Sequence, residues 1–273
     1  MPSGKKARQQ RRAAAASGGR TPPPVRSKAG GRGPGRFSQR TLVIAGVVLA
    51  VAIGLGVGLP LALSSSGSGS GSASTGSTGT TGFGPISKLG KLASPGPLGP
   101  LGPEGPPIES GSDLAPAGSP APGESVDGIS CQGGEQTLFH IHARLTIFVD
   151  GRSERVPAGV GIADPQAEQT TRGPFVANGA CFSWLHTHAA DGIIHIESPV
   201  QRTFTLGNFF DVWGQPLSSS QVGPAKGHVT ALVDGKVWLG DPSAIPLKSH
   251  RQIQLEVGRP LVAQVRIENW SGL

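Results

Sequence analysis

The stretch TLFHIHARLTIFVDG (residues 137–151) alternates between side-chain types in the way that a β-strand requires. Successive side chains of a strand point to opposite faces, so Leu138, His140 and His142 share one face. The closing Asp-Gly pair is typical of a tight turn into a returning strand, here RSERVPAGVGI (residues 152–162). The two segments therefore predict a β-hairpin that carries histidines on one face.

A second predicted hairpin, WLHTHAADGIIHIES (residues 184–198), carries the other closely spaced histidines. We interpret the segments CFSWLHTH and GIIHIES as two strands joined by the turn AADG. Strand spacing places His186 beside His188, and His195 beside Glu197, on common faces. We therefore expect both hairpins to contribute to one patch of five histidines: His140, His142, His186, His188 and His195.

The paired histidines predict a metal site. An H-x-H pair on a strand supplies two imidazole ligands, and zinc takes roughly four ligands at about 2.0–2.3 Å. Copper(II) also binds imidazole, whereas a methionine-rich copper(I) site is excluded because the single methionine is Met1. Asp191 and Glu197 are available as further ligands or as a general base, while His228 and His250 stand apart and are interpreted as structural or exposed. The alternative is a metal-free sheet whose histidines are satisfied by backbone or carboxylate hydrogen bonds.

Functions from three different classes fit these residues. The leading hypothesis is a metal-binding domain whose bound cofactor is zinc or copper. The second is a zinc-dependent hydrolase of the cell envelope, with Glu197 or Asp191 as the general base. The H-E-x-x-H, G-x-S-x-G, C-x-x-C, Walker and Rossmann motifs are absent, so the sequence favours a non-enzymatic role and assigns no catalytic residue. The third is a metal-free interaction domain, whose protein or cell-wall partner the sequence does not identify.

The positive charge of the chain is concentrated at its N-terminus. Residues 1–40 hold eleven of the 24 Lys and Arg residues and no acidic residue. Residues 41–273 therefore hold 13 basic and 17 acidic side chains, a net charge of about −4. Because the basic charge belongs to a disordered tail and not to the folded part, the sequence argues against a nucleic-acid-binding domain.

An uncharged apolar segment follows the basic tail at residues 41–63. Its core, residues 42–63, is 22 residues long, and a bilayer of about 30 Å needs roughly 20 helical residues. A cleaved signal peptide is the alternative, but its apolar part is usually about 7–15 residues long. The segment predicts a single-pass signal anchor in the cell membrane. The positive-inside tendency places the basic tail in the cytoplasm and the C-terminal domain outside it.

The composition changes again at residues 64–124, which are rich in Ser and Gly and then in Pro and Gly. Such a segment has too little apolar surface to fold, so we interpret it as a disordered linker. Within it, GPLGPLGPEGPP (residues 96–107) has the Gly-X-Y pattern of collagen, but four triplets favour a stiff polyproline spacer. The globular domain is then predicted at residues 125–273, a normal size for one domain.

The chain contains only two cysteines, Cys131 and Cys181. Outside the cytoplasm such a pair is most simply one disulfide, which closes a loop of about 50 residues. The alternative is that the two thiolates join the histidines as metal ligands.

The period of the apolar residues becomes helical in TLGNFFDVWG (residues 205–214). Apolar residues at positions i, i+3, i+4 and i+7 form one stripe: Leu206, Phe209, Phe210 and Trp213. This spacing predicts one short amphipathic helix, with Thr205 as its N-cap and Gly214 at its end.

After the helix, the sequence predicts further strands in three segments: residues 228–238, 246–258 and 262–269. We expect the last of them to close the sheet. Strands therefore dominate residues 125–273. The predicted fold class is α+β and β-rich: a single-pass transmembrane helix, then an extracytoplasmic mixed sheet with one short helix.

The order of elements in the second half resembles the ubiquitin-like β-grasp of small sulfur-carrier proteins. The resemblance rests on TLGNFF, VDGK and LKSHRQIQLEV and covers residues 203–257. It implies a β-grasp-like sheet in this half. The carriers end in a diglycine tail whereas this chain ends NWSGL, so the resemblance does not extend to a carrier function.

A wider set of motifs, HIHARLTIFVDG, LHTH, GIIHIE and FTLGNFFDVWG, is similar to that of a family of membrane-anchored bacterial, in particular actinobacterial, proteins with no established activity. This second resemblance implies the membrane topology and the histidine cluster. It implies no particular reaction.

Overall fold

The computed structural model describes residues 82–273. The predicted cytoplasmic tail (residues 1–40), the predicted transmembrane helix (residues 41–63) and the first part of the predicted linker (residues 64–81) lie outside the described residues. Within residues 82–273, no helix has both the length and the apolar character needed to cross a membrane.

The described chain is dominated by strands, with a single α-helix, α1 (Leu206–Trp213), and two short 3-10 helices (Ile86–Leu89 and Pro242–Ala244). In chain order the strands are β1 (Phe83–Gly84), β2 (Ser125–Val126), β3 (Ile129–Gln132), β4 (Phe139–Val149), β5 (Arg152–Glu154), β6 (Ile162–Ala163), β7 (Gln166–Thr170), β8 (Gly173–Asn178), β9 (Cys181–Ser183), β10 (Leu185–His186), β11 (Ile193–Ser198), β12 (Phe204–Thr205), β13 (Leu217–Ser218), β14 (Gln221–Val222), β15 (Ala225–Lys226), β16 (Val229–Val233), β17 (Lys236–Trp238), β18 (Pro246–Leu247) and β19 (Arg251–Val257).

The largest sheet has eight strands in the order β1-β17-β16-β19-β4-β11-β10, with β5 also paired to β4. The long strand β4 pairs in parallel with β19, and the other pairs in this sheet are antiparallel. On its other side, β4 pairs first with β11 and then with β5. The sheet is therefore mixed, and the predicted α+β, β-rich class is confirmed for the described residues.

Helix α1 covers one face of this sheet. It begins as predicted at Thr205, whose hydroxyl accepts a hydrogen bond from the Asn208 backbone N–H, while the Asn208 side chain accepts one from the Thr205 N–H. It ends at Gly214, which adopts a left-handed conformation (φ 71°). Its apolar stripe joins one continuous core with alternate residues of the central strands, including Leu145, Ile147, Ile194, Ile196, Ile253, Leu255, Phe209, Phe210 and Trp213.

The C-terminal segment covers part of the opposite face, and here the prediction of a closing strand at residues 262–269 was wrong. The glutamines of β19 point to this face and bond the segment directly. The Gln254 Oε1 atom accepts a hydrogen bond from the Val265 N–H at 2.8 Å, and the Gln252 Oε1 atom accepts one from the Ile267 N–H at 2.6 Å. Because side-chain amides bind its backbone, the segment lies across the sheet instead of pairing along an edge, apart from one isolated bridge at Val262.

A smaller sheet, β2-β3-β9-β6, holds the disulfide. Cys131 and Cys181 are bonded, with their Cα atoms 5.3 Å apart, so the predicted disulfide is confirmed. The bond joins β3 to the neighbouring strand β9. Since β9 continues almost directly into β10, the disulfide anchors the segment that carries His186.

Residues 82–124 differ from the disordered linker that their composition predicts. Strand β1 pairs with β17 at the sheet edge, and Ala93 exchanges backbone hydrogen bonds with Leu261 and Ala263. Further along, Leu114 N–H donates to the Arg155 carbonyl. The segment has few apolar side chains and no core of its own, but its backbone groups find partners on the domain. The described structure therefore begins more than forty residues before the predicted boundary at Ser125.

Candidate metal centre

The sheet register brings the predicted histidines together across β10, β11 and β4. His186 lies opposite His195, and His195 lies opposite His142. One step along, Glu197 lies opposite His140. Directly opposed residues on one face have Cβ atoms about 4.5–5.5 Å apart, so these rings are immediate neighbours. They occupy the face of the sheet opposite to α1.

A first group of donor atoms comes from β4 and β11. His140 Nε2 lies 3.0 Å from His142 Nε2, and His142 Nε2 lies 3.1 Å from His195 Nδ1. The Glu197 Oε1 atom lies 3.1 Å from both His140 Nε2 and His195 Nδ1. All four atoms lie within 4.8 Å of one another. Four tetrahedral donors at about 2.0–2.1 Å from an ion are roughly 3.3–3.4 Å apart. Small movements of these side chains would therefore bring all four donor atoms to bonding distance of one ion.

A second group comprises His186, His188, His195 and Glu197. The Nε2 atoms of His186 and His188 lie 3.1 Å apart. Their other ring nitrogens face backbone carbonyls: His186 Nδ1 donates to Ser183 O at 2.8 Å, and His188 Nδ1 donates to Val176 O at 2.6 Å. A carbonyl can only accept, so each Nδ1 carries the hydrogen and each neutral ring presents a lone pair at Nε2. Two lone pairs therefore face each other across 3.1 Å.

Burial disfavours protonation of these rings, so no proton lies between the two Nε2 atoms to form a hydrogen bond. Burial lowers the pKa of His186 well below its ordinary value, and the neighbouring His195 and His188 lower it further. Burial, with His195 and His140, likewise lowers the pKa of His142 to about 3. At neutral pH these rings are neutral and present lone pairs, which is the form in which imidazole binds metals.

His195 sits at the centre of the cluster between two carboxylates. Its Nε2 atom lies 2.5 Å from Glu104 Oε1, and its Nδ1 atom lies 3.1 Å from Glu197 Oε1. Burial alone lowers the pKa of His195, but hydrogen bonds and charge from Glu104 and Glu197 outweigh it and raise the pKa to about 9. A cation at Nδ1 would take the place of one ring proton, while Glu104 continued to hold the other. This is the carboxylate–histidine–metal arrangement that orients ligands in many metal sites.

Two carboxylate oxygens in the cluster have no hydrogen-bond partner among residues 82–273. They are Glu197 Oε2 and Glu104 Oε2, both buried, and the Ser183 hydroxyl is also unpartnered. Buried anionic oxygens without partners are costly, and a divalent cation removes that cost. Both cysteines are in the disulfide, so the donors are imidazole nitrogens and carboxylate oxygens. This donor set fits zinc or copper(II).

The structure places Asp191 beside the cluster but in neither four-atom group. Its Oδ2 atom accepts a hydrogen bond from the Glu104 N–H at 3.2 Å, and its side chain is buried. Burial and the neighbouring Glu104 raise the pKa of Asp191 to about 7. A Cβ atom at Gly102 would lie 2.5 Å from Asp191 Oδ2, so glycine is needed for this approach. Asp191 thus positions the segment that delivers Glu104.

The other two histidines belong to neither group, although the His250 N–H donates a hydrogen bond to the His142 carbonyl at 2.7 Å. His250 stacks on Trp270, with ring centroids 4.7 Å apart, and His228 accepts a backbone hydrogen bond from Gly258 through its carbonyl. Neither contributes a donor atom to the cluster.

Sequence reasoning missed two acidic residues and one supporting hairpin. Glu104 comes from the predicted linker, and Glu135 Oε1 lies 3.4 Å from His188 Nε2. The β7–β8 hairpin stacks Phe175 on His188 at 4.8 Å and supplies the Val176 carbonyl. The sequence contains one hint of the role of Glu104: it is the first acidic residue of the chain, in a segment otherwise rich in Pro and Gly.

A cleft of about 480 Å³ opens onto the His195 side of the cluster. Glu104, Arg172, Phe175 and His195 contribute to its lining together with the C-terminal residues. A concave opening beside convergent polar groups is a common setting for ligand binding. The cluster is therefore buried on its sheet side and reachable from solvent past Glu104.

No protein-family model, curated protein or solved structure matches the chain.

Proposed function

We propose that this domain binds zinc or copper(II) through the histidines of the cluster and Glu197. One observation carries the proposal. In His186, His188 and His195, one ring nitrogen is held by a protein partner outside both donor groups, and the other ring nitrogen points towards the centre of the cluster. The holding groups are the carbonyls of Ser183 and Val176 and the carboxylate of Glu104. Far-nitrogen partners of this kind fix the tautomer and orientation of metal-binding histidines.

The metal-free interaction domain is the weaker alternative. Hydrogen bonds can satisfy isolated histidines, but here the Nε2 atoms of His186 and His188 face one another with no donor between them. Glu197 Oε2 is also buried without a partner. A cation satisfies both features at once, whereas a metal-free core leaves both unsatisfied.

We also propose that the domain lies outside the cytoplasm on a single-pass membrane anchor. The uncharged segment at residues 42–63 and the basic tail before it support this topology. The disulfide supports it independently, because such bonds persist mainly in oxidising compartments.

A β-grasp-like core is proposed for the same domain. Three features support it: β19 pairs in parallel with β4, the β16–β17 hairpin pairs with the other side of β19, and α1 packs on one face of the sheet. The first strand of such a core, β4, lies outside the residues 203–257 that carry the resemblance.

A zinc-dependent hydrolase is the second candidate, and the cleft is the observation that favours it. Glu104 lines the cleft beside His195, whereas Glu197 and Asp191 are not among its lining residues. Glu104 is therefore the carboxylate best placed to act as a general base. Zinc-loaded chain would then hydrolyse a model peptide or ester, and Glu104→Gln would lose turnover even at a zinc concentration that saturates the variant; absence of any hydrolysis rejects this candidate.

Metal analysis of the purified chain tests the leading proposal. The full chain is stripped with chelator, equilibrated with zinc or copper(II), freed of excess ion by gel filtration and analysed by mass spectrometry for metal content. We expect bound metal in the wild type and in the control His228→Ala, and less bound metal in His186→Ala plus His188→Ala. Wild-type chain that retains no metal, or a double variant that retains as much as the wild type, rejects the proposal.

A further inference from the structure

We infer that the cluster is a two-ion centre, in which Glu197 bridges two divalent cations of the zinc or copper(II) class. The inference rests on the proposed metal-binding function and extends it, because it assigns separate ligand sets and a stoichiometry.

The donor atoms fall into two groups and not one. Within residues 82–273, His140 and His142 belong to one group, His186 and His188 belong to the other, and the two groups share His195 and Glu197. Two donors of a single ion, each about 2.1 Å from it, are at most roughly 4.2 Å apart. The donor atoms of the two pairs do not all lie within 4.8 Å of one another, so a single ion cannot bind both pairs in this arrangement.

The first ion takes its donors from β4 and β11. They are His140 Nε2, His142 Nε2, His195 Nδ1 and Glu197 Oε1, whose closest pairs are 3.0–3.1 Å apart. His195 serves this ion alone, because its Nε2 atom is held by Glu104. Four donors complete the number that zinc prefers.

The second ion takes its donors from β10 and the residues that follow it. His186 Nε2 and His188 Nε2 face one another at 3.1 Å. Glu135 lies outside both groups, but its Oε1 atom is 3.4 Å from His188 Nε2 and its side chain is 40% exposed, so we assign it as a donor that turns onto the ion from the solvent side. The fourth donor is Glu197, one carboxylate oxygen of which lies within 4.8 Å of both rings. We assign this role to Oε2, because Oε1 faces His140 and His195 whereas Oε2 is buried without a partner among residues 82–273. A carboxylate that gives one oxygen to each ion is a bridge, and ions of two-metal sites lie about 3.5–4 Å apart.

The charge of the cluster agrees with two divalent ions. Four acidic side chains surround it: Glu104, Glu135, Asp191 and Glu197. The nearby cation Arg144 pairs with Glu109 at 2.9 Å and also attracts the Asp191 carboxylate, so it balances charge on the Asp191 side only. The other three carboxylates, of Glu104, Glu135 and Glu197, carry three negative charges, which a single divalent cation does not balance.

The stoichiometry of zinc binding to the full chain tests the inference. Residues 1–103 contain no His, Cys, Asp or Glu, so background binding by the tail and linker is low. After chelator treatment, equilibration with zinc alone and gel filtration, we expect two zinc ions per chain in the wild type. Glu135→Gln is expected to retain one ion, and the side chain it alters is 40% exposed, so the fold is not at risk. His140→Ala, which alters another side chain that is 40% exposed, is also expected to retain one, and the control His228→Ala two.

Electron paramagnetic resonance with copper(II) supplies an independent readout. Two copper(II) ions about 4 Å apart couple magnetically, so the wild type is expected to show a weakened signal, and Glu135→Gln is expected to show the full signal of one isolated ion. One ion per wild-type chain, lost equally in Glu135→Gln and His140→Ala, overturns the two-ion centre and leaves the proposed function standing. No bound ion overturns both. Circular dichroism of each variant confirms that it is folded.

Discussion

Glu104→Gln is expected to weaken metal binding although the residue is not a metal ligand in either donor group. Its Oε1 atom lies 2.5 Å from His195 Nε2, and the substitution keeps the shape of the side chain while removing its charge. Loss of such an outer partner typically weakens metal affinity by about 10–100-fold.

This loss converts into a thermal shift. At a zinc concentration 100 times the dissociation constant, binding raises the free energy of unfolding by about 2.7 kcal/mol. A variant that binds 10–100-fold more weakly gains only about 0.4–1.4 kcal/mol at the same concentration. For a domain of this size, 1 kcal/mol shifts Tm by about 2–4 °C. Zinc should therefore raise the Tm of the wild type by about 5–11 °C and that of Glu104→Gln by about 1–6 °C.

Unfolding followed by circular dichroism, with zinc and with chelator, measures the shift for each protein separately, so any change in the metal-free stability of the variant cancels. Glu124→Gln is the matched control, because it makes the same change at an exposed acid that accepts only the Ala121 N–H. It should show the wild-type shift. Equal zinc shifts in Glu104→Gln and the wild type would refute the role of Glu104, and no shift in any protein would refute metal binding.

Three further predictions concern the framework around the cluster. Replacing Cys131 and Cys181 together by Ser opens a loop of 50 residues and should lower the free energy of unfolding by about 4 kcal/mol in urea denaturation; an unchanged midpoint contradicts the stabilising role of the bond. Burial raises the pKa of Glu256 from 4.5 to about 7, so the folded state binds the proton more tightly and stability should fall as pH rises from 4.5 to 7. Glu256→Gln should therefore be more stable than the wild type at pH 8, by on the order of 2–3 kcal/mol, and lose this advantage at pH 4; a difference that does not change with pH contradicts the raised pKa. Gly102→Ala places a Cβ atom 2.5 Å from Asp191 Oδ2, so the segment before Glu104 must shift, and zinc affinity measured by chelator competition should fall about tenfold; unchanged affinity shows that the segment does not need this approach.

The sequence predicted the parts of the fold that depend on local pattern. Alternation in residues 137–151 identified β4, the helical stripe after Thr205 identified α1, and the turn AADG identified the connection between β10 and β11. The same alternation assigned His140 and His142 to one face. These features are local because side-chain direction within a strand or helix follows from sequence spacing alone.

The order of strands in the sheet could not be read from spacing. The cluster exists because β11 lies between β10 and β4, which puts His195 between His186 and His142. Glu104 was missed for a related reason. Its Pro- and Gly-rich surroundings show that the segment lacks a core of its own, but not that it docks on the domain through backbone hydrogen bonds.

The C-terminal segment shows the limit of pattern reasoning in the other direction. VAQVRIEN alternates like a strand, yet its backbone binds the side chains of Gln252 and Gln254 on the face of the sheet. Alternation reports that one side of a segment is buried, and it does not specify which groups satisfy the backbone.

X-ray absorption spectroscopy of the zinc-loaded full chain tests the central claim most directly, because it reports the atoms bound to the metal. We expect a first shell of about four nitrogen and oxygen donors at roughly 2.0–2.1 Å, with the scattering pattern of imidazole and without sulfur. The amount of zinc bound per chain should fall in His186→Ala plus His188→Ala and should stay at the wild-type level in His228→Ala. A first shell made of water oxygens alone, or zinc that does not survive gel filtration, would contradict the claim that this histidine cluster is a metal centre.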